Sequence, residues 1–202
     1  MNESPRRNPR ALNQGVRVLD LLIMKKVLLV LLLLPALAFA QSYFEERKAA
    51  AESGDTAAQF DLGVMYDNGE GVPENTAEAV RWYRLAAEQG YALAQSNLGL
   101  MYSNGDGVPE NDAEAVRWYR LAAEQGYPFA QFNLGRMYIN GEGVPQNNIH
   151  AKVWFSVSTA QGYEMVKTGS DIVVEQLTHA ERARAQDLAT KCFKSDFKDC
   201  PY

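Results

Sequence analysis

The sequence predicts an all-α protein, a superhelical α/α solenoid of helix-turn-helix repeats, from three observations. The stretch GEGVPENTAEAVRWYRLAAEQG at residues 69–90 returns at residues 105–126 with two substitutions. A weaker copy follows after the same interval of 36 residues, so that Trp82, Trp118 and Trp154 coincide. The apolar residues of each copy follow a helical spacing, and a period of this length is typical of stacked helix pairs.

The first helix of each unit is predicted from an apolar stripe followed by a stop signal. In the first copy the stripe follows the spacing i, i+4, i+7, i+8 and consists of Ala58, Leu62, Met65 and Tyr66. Gly69 is expected to end this helix, because glycine tolerates the left-handed conformation that is common at helix C-termini. Pro73 then prevents the helix from continuing.

The second helix of each unit begins at an asparagine cap. Asn75 precedes the helix and Glu78 lies three residues later, a pairing typical of a capping box. Asn111 and Glu114 repeat the pair, whereas the third copy has His150 in place of the glutamate. The apolar positions of the first copy are Ala79, Trp82, Tyr83, Ala86 and Ala87. A single helix pair would leave these aromatic rings in water, so neighbouring pairs are expected to stack.

The N-terminal region has the features of an export signal. Residues 24–40, MKKVLLVLLLLPALAFA, combine two lysines, a short apolar run and a small-x-small cleavage motif before Gln41. We interpret this segment as a signal peptide, with an uncleaved anchor as the alternative. Residues 1–23 precede a second methionine, Met24, and are interpreted as an upstream extension that lies outside the translated protein.

The remainder of the chain divides into a row of units. An N-terminal capping half-repeat covers residues 41–53, and a degenerate C-terminal capping repeat covers residues 162–202. The three full repeats span residues 54–89, 90–125 and 126–161. Within the C-terminal capping repeat, Thr178 and Glu181 form a further capping-box motif at the start of the last predicted helix.

The repeated pattern resembles the Sel1-like repeat, a relative of the tetratricopeptide repeat. Residues 58–90 and 94–126 match its alanine, Leu-Gly, tyrosine, glycine and tryptophan positions in full. Residues 130–162 depart from it at Ser158 and Thr159, where small polar residues replace alanine. The resemblance implies an α/α solenoid that serves as a protein-interaction scaffold, and exported members are common in bacteria.

The two cysteines, Cys192 and Cys200, lie close to the C-terminus. In an exported protein such a pair is interpreted as a disulfide, and two free thiols are the alternative. The segment CFKSDFKDC also resembles cysteine-rich exported members of the family, in which cysteines at this spacing are paired. Ser195 stands where those relatives usually have glycine.

Charge and motif content disfavour several other functions. Without residues 1–40 the chain keeps 14 Lys and Arg against 23 Asp and Glu, a net charge of −9, which disfavours nucleic-acid binding. The segment GEGVPE lacks the third glycine of a dinucleotide site and the lysine of a P-loop. His150 and His179 have no recognisable catalytic or metal-binding partners. The sequence therefore predicts no catalytic residue, cofactor or metal.

The predicted partner-binding site consists of first-helix positions that vary between the copies. By analogy with tetratricopeptide helices, these positions face a concave groove. They are Phe60, Val64, Ser96, Leu100, Phe132 and Arg136, with Asp61, Asn97 and Asn133 at the edge. Exposed phenylalanines would be unusual on a surface without a function. The alternative is that these two rings pack against adjacent first helices.

The sequence therefore predicts an exported, non-enzymatic scaffold that binds a peptide or protein partner of the cell envelope and regulates an envelope enzyme, sensor or assembly. The expected location is the periplasm of a Gram-negative bacterium, or the medium, and the expected state is a monomer without a stable membrane span after signal cleavage. Cysteine-rich relatives associated with penicillin binding leave a cell-wall or β-lactam-binding or -hydrolysing protein as one alternative. A secreted virulence factor is the other.

Overall fold

The computed structural model describes residue 25, residues 41–163 and residues 167–202. Its contacts divide the chain into two units, residues 1–43 and residues 44–202. The predicted upstream extension and signal peptide lie outside the described residues, apart from residue 25. The repeats belong to the second unit.

Helices account for the regular structure of the second unit. A helical segment over residues 44–52, here α1, precedes the repeats. The three repeats supply α2 (Thr56–Asn68), α3 (Thr76–Glu88), α4 (Ala92–Asn104), α5 (Asp112–Glu124), α6 (Pro128–Asn140) and α7 (Asn148–Ala160). They are followed by α8 (Lys167–Gln176) and α9 (His179–Lys194). No strand occurs in the part of the chain that the structure describes, and the prediction of an all-α solenoid is confirmed.

The helix boundaries follow the predicted signals, with one difference at the second helices. The side chain of Asn75 accepts a hydrogen bond from the Glu78 backbone N–H, as a cap should. The Glu78 carboxylate, however, binds Nε of Arg81 at 3.1 Å, and the Asn75 N–H donates to the backbone oxygen of Tyr66 instead. The predicted capping box is therefore only half formed, because the backbone of α2 already supplies an acceptor for that N–H.

Within each repeat the two helices approach closely because one helical position is glycine. A Cβ atom at Gly63 would lie 2.6 Å from the ring of Tyr83, and one at Gly99 would lie 2.8 Å from the ring of Tyr119. The third repeat places Phe155 over Gly135 in the same way. In each Leu-Gly pair the leucine is thus buried, and the absence of a side chain on the glycine lets an aromatic ring of the second helix pack against the first.

Successive repeats stack through the turn between their two helices. Gly107, with a φ of +68°, lies against the start of α3, where an added Cβ would be 2.5 Å from the backbone oxygen of Thr76. Gly143 meets the backbone of Asp112 in the equivalent position one repeat later. A side chain is excluded at both positions by the left-handed backbone and by the neighbouring repeat.

A ladder of glutamines also joins each first helix to the preceding second helix. The buried Gln95 donates from Nε2 to the backbone oxygen of Ala87 at 3.1 Å, while its Oε1 accepts from Gln125 at 2.7 Å. The same two hydrogen bonds recur one repeat earlier and one repeat later, at Gln59 with Gln89 and at Gln131 with Gln161. Each of these backbone oxygens also accepts from the N–H of the glycine that follows the helix, so the glutamine supplies it with a second donor.

The C-terminal helices pack differently from the repeats. Both α8 and α9 contact α7, and α9 covers the side of α7 that carries Val157. The equivalent Leu85 of the first repeat is exposed. The capping box of Thr178 and Glu181 is complete, since each residue's side chain accepts from the other's backbone N–H.

The predicted disulfide between Cys192 and Cys200 is present and joins α9 to the tail that follows it, residues 195–202. Across the described residues, no helix combines the length and the apolar character needed to cross a bilayer.

Candidate functional site

The two phenylalanines predicted to face the groove are half-buried. The Phe60 ring lies 5.7 Å from the ring of Tyr83 and 5.2 Å from that of Tyr91. Phe132 makes the corresponding contacts with Phe155 and Tyr163, both at 5.7 Å. Each phenylalanine therefore packs against one aromatic ring of its own helix pair and one at the start of the next helix pair. Part of each phenylalanine ring remains exposed.

The other predicted positions differ in exposure. Val64, Leu100 and Asn97 are half-buried, whereas Ser96 is fully buried and offers no surface to a partner. We use "first-helix groove" below for the remaining partly exposed residues and the side chains beside them: Phe60, Asp61, Val64, Asp67, Glu74, Asn97, Leu100, Asp106, Phe132 and Arg136.

An acidic cavity lies at the junction of the first and second repeats. It has a volume of about 210 Å³, and its walls include Asp67, Glu74, Asp106 and Leu100. The Tyr83 hydroxyl donates to Oδ2 of Asp67 at 3.4 Å. Burial raises the pKa of Asp67, the Tyr83 hydrogen bond lowers it, and the two neighbouring carboxylates raise it again. The cavity is thus a region of negative charge with one apolar wall.

The junction of the second and third repeats differs by an added arginine, while two equivalent carboxylates, Glu110 and Glu142, remain in its sequence. Arg136 occupies the position of Leu100 and is exposed, and its Nη1 donates to Oδ1 of Asn133 at 3.1 Å. Asn133 is itself buried and donates from Nδ2 to the backbone oxygen of Phe129. Asn133, which is itself held by a hydrogen bond, therefore orients the Arg136 guanidinium. The nearby Arg136 also lowers the pKa of Tyr119, which burial raises more strongly.

A second feature, on the second helices, was not anticipated from the sequence. Arg81 stacks on Trp82 with its guanidinium carbon 4.4 Å from the ring centroid, and Arg117 stacks on Trp118 at 4.0 Å. At the third repeat the ring of Tyr202 lies 5.9 Å from Trp154 instead. One feature of the sequence could have indicated this difference between the repeats. The third copy lacks the Glu-x-x-Arg pair and has histidine and valine at residues 150 and 153.

No cluster of three or more potential metal ligands occurs among the described residues. Burial lowers the pKa of His150, and the positive charge of Arg184 lowers it further. The His150 ring packs against Tyr138 at 5.2 Å, in an edge-on arrangement.

Comparison with known proteins agrees with this geometry. The Sel1 repeat family model matches residues 56–91, 92–127 and 128–163, which together make up more than half of the chain. A search of curated proteins finds no match. Sel1 repeats generally mediate protein binding, and the fold is typically non-enzymatic.

Two crystal structures are similar to the chain. The Sel1 repeat protein from Oxalobacter formigenes is 43% identical, with a TM-score of 0.58 over 63% of this chain and 96% of that one. The protective antigen c5321 of uropathogenic Escherichia coli, which displays an SLR fold, is 27% identical, also with a TM-score of 0.58. That alignment covers 76% of this chain and 42% of the antigen, so the chain spans less than half of its length. With three matched repeats and this shared architecture, the chain belongs to the Sel1 repeat family.

Proposed function

We propose that the chain is a protein-interaction scaffold that holds an extended segment of a cell-envelope protein in the first-helix groove. The observation that carries the proposal is the difference between two equivalent junctions. One junction forms an acidic cavity with Leu100 at its wall, and the next presents Arg136 above Asn133. Stacking alone does not require such a difference, because the buried positions of the two junctions are nearly identical.

The charges of the two junctions define the partner segment. A lysine or arginine of the partner fits the cavity beside Asp67, Glu74 and Asp106, and an acidic residue fits Arg136. Apolar side chains between them would contact the exposed edges of Phe60 and Phe132. Both rings are already held by aromatic neighbours, so little conformational entropy is lost when a partner covers them.

Site-specific photo-crosslinking in cells tests this proposal. A photoreactive residue placed at exposed position 74, which leaves Arg136 in place, is expected to trap the partner, whereas one at exposed position 184 on α9 should not trap it. Arg136→Glu should lower capture from position 74 by about ten-fold, because the acidic residue of the partner would be repelled. Arg184→Glu is the matched charge-reversal control. Equal capture by Arg136→Glu and Arg184→Glu would show that the groove assignment is wrong.

We further propose that the chain acts outside the cytoplasm. The predicted signal peptide supports export, and the Cys192–Cys200 disulfide is compatible with an extracytoplasmic location. Cell fractionation followed by N-terminal sequencing tests this directly. We expect a periplasmic protein that begins at Gln41. A cytoplasmic protein that retains residues 24–40 would contradict export while leaving the groove proposal intact.

A further inference from the structure

The tail of the chain binds to its own third repeat as a ligand would. Nε1 of Trp154 donates to the backbone oxygen of Pro201 at 3.2 Å. The Tyr202 ring lies between Trp154 and Arg120, whose guanidinium carbon is 4.3 Å from the centre of that ring. The Tyr202 hydroxyl is hydrogen-bonded to Glu124. We call this place, between α5 and α7, the third outer groove.

The same set of residues recurs one and two repeats earlier. The second outer groove, between α3 and α5, has Trp118 with Arg84 and Glu88, and the first has Trp82 with Lys48 and Glu52 of α1. In both, the indole N–H is buried and finds no acceptor among the described residues. Each of these tryptophans is only 4% exposed. A buried donor without an acceptor costs about 1–3 kcal/mol, so an incoming carbonyl that accepts from it would remove that cost.

The first and second outer grooves are covered by side chains that can move away. Arg81 and Arg117 stack on the two tryptophans and are held by Glu78 and Glu114, respectively. Both arginine side chains remain more than half exposed, which makes such ion pairs weak. The third repeat has Val153 in place of this arginine, and there the tail provides the cover. Val153 is itself fully buried, so equivalent tryptophans contact an arginine in the first two repeats and the tail in the third.

A further difference shows how the second outer groove would open. Nη2 of Arg84 donates to the hydroxyl of Tyr102 at 2.7 Å. The equivalent Arg120 lies over the ring of Tyr202 instead. Rotation of Arg84 from Tyr102 towards an incoming tyrosine ring would reproduce the arrangement of the third outer groove. Together with the displacement of Arg117 from Trp118, it requires only side-chain torsions of two arginines.

We propose that the first and second outer grooves bind an extended, tyrosine-bearing segment of a partner protein in the way that the third binds Pro201 and Tyr202. A backbone carbonyl of the segment accepts from the indole N–H, and the tyrosine ring packs against the tryptophan. The tyrosine hydroxyl donates to Glu52 in the first outer groove and to Glu88 in the second. The chain's own tail is not the occupant, because the disulfide at Cys200 tethers it to α9 and it already covers Trp154.

NMR of the three indole N–H groups tests this proposal with the full chain. The probe is acetyl-Lys-Asp-Ala-Pro-Tyr-amide, which copies residues 198–202 with alanine in place of cysteine. The signals of Trp82 and Trp118 are expected to shift saturably on titration, and that of Trp154 should remain unchanged. The same peptide with alanine in place of tyrosine should bind about ten-fold more weakly, because the aromatic contact is lost.

Two variants assign and extend the result. Trp118→Phe keeps an aromatic ring but removes the N–H, so the signal of Trp82 alone should then respond. A chain that ends at Cys200 lacks Pro201 and Tyr202, and in it the signal of Trp154 should also become responsive. Failure of both Trp82 and Trp118 to respond, or equal binding of the alanine peptide, would overturn the proposal.

Self-association and the first-helix groove are distinguished by separate measurements. Indole shifts that depend on protein concentration without peptide, and that vanish in the chain ending at Cys200, would identify a second copy's tail as the occupant and refute a partner segment. Arg136→Glu should leave the peptide-induced shifts unchanged. Loss of those shifts in Arg136→Glu would show that the peptide binds the first-helix groove, which would refute the outer grooves as its site.

Discussion

The second and third repeats share their buried leucine, alanine and tryptophan positions but differ in what contacts that tryptophan. Leu98 and Leu134 are both fully buried, as are Ala115 and Ala151. The outer groove of the second repeat is covered by an arginine of its own helix, and that of the third by the C-terminal tail. These buried positions are thus the same in both repeats, whereas the neighbouring tryptophan contacts an arginine in one and the tail in the other.

The largest effect is expected where two repeats meet at a glycine. Gly107→Ala should lower the free energy of unfolding by about 3 kcal/mol or more, because it combines a left-handed backbone with a clash against the backbone of Thr76. Gly90→Ala is the matched control, since Gly90 also has a positive φ but no atom lies within 4 Å of an added Cβ. It should lose only about 1–2 kcal/mol. Urea unfolding measures both, and equal losses would mean that the turn does not determine stacking.

The disulfide should stabilise the third repeat and leave the second unaffected. The double variant Cys192→Ala/Cys200→Ala is expected to lose about 2.6 kcal/mol on the chain-entropy estimate for so short a loop. Since repeats contact only their neighbours, hydrogen exchange should accelerate in α7 and α9 while the protection of α2 to α4 is retained. Uniformly faster exchange along the chain would contradict a local role for the tail.

The glutamine ladder should matter equally in both repeats. Gln95→Leu removes two hydrogen bonds, one to the backbone oxygen of Ala87 and one from the side chain of Gln125, although each group keeps a second partner. At about 1 kcal/mol for each hydrogen bond, the expected cost is about 2 kcal/mol. Gln131→Leu should cost the same within about 0.5 kcal/mol, because its two hydrogen bonds are equivalent. Thermal unfolding of the two variants compares them. A clearly larger loss in one repeat would show that the ladder is not a shared element.

The smallest expected effect is a pH dependence confined to the third repeat. His150 replaces a glutamate of the other copies, and burial lowers its pKa below the usual 6.5. The folded state therefore binds fewer protons than the unfolded state between these two pKa values, so stability should fall as the pH drops through this window. Thermal unfolding at pH 7.5 and 5.5 should show a small loss that His150→Gln abolishes. His179→Gln is the control and should leave the pH dependence as it is.

The repeat architecture was predictable from the sequence because the residues that make the same contacts occur in three copies at a fixed interval. Asn75, Asn111 and Asn147 cap the second helices as the pattern indicates, and glycine ends each first helix. The half-formed capping box was not predictable in the same way. The Glu78 carboxylate can accept either from the Asn75 N–H or from Arg81. It accepts from Arg81 because the Asn75 N–H already donates to the backbone oxygen of Tyr66 on the preceding helix.

The candidate sites were predictable only in part. Variation between the copies pointed to the first-helix groove, but it could not distinguish the fully buried Ser96 from the exposed Arg136. The glutamine ladder was visible as residues identical in every copy, yet identity alone does not separate a buried polar pair from a solvent-exposed one. Burial depends on the distance between helices, which no single helix determines.

The sequence by itself determined the period, the helices, the turns and the glycines at which helices meet, because these depend on backbone preferences and on spacing along one chain. Only the tertiary structure decided that α9 packs on α7 and that the tail reaches Trp154. Both contacts lie outside the repeated pattern, and Trp154 and Pro201 are 47 positions apart, so no spacing within the repeats indicates them.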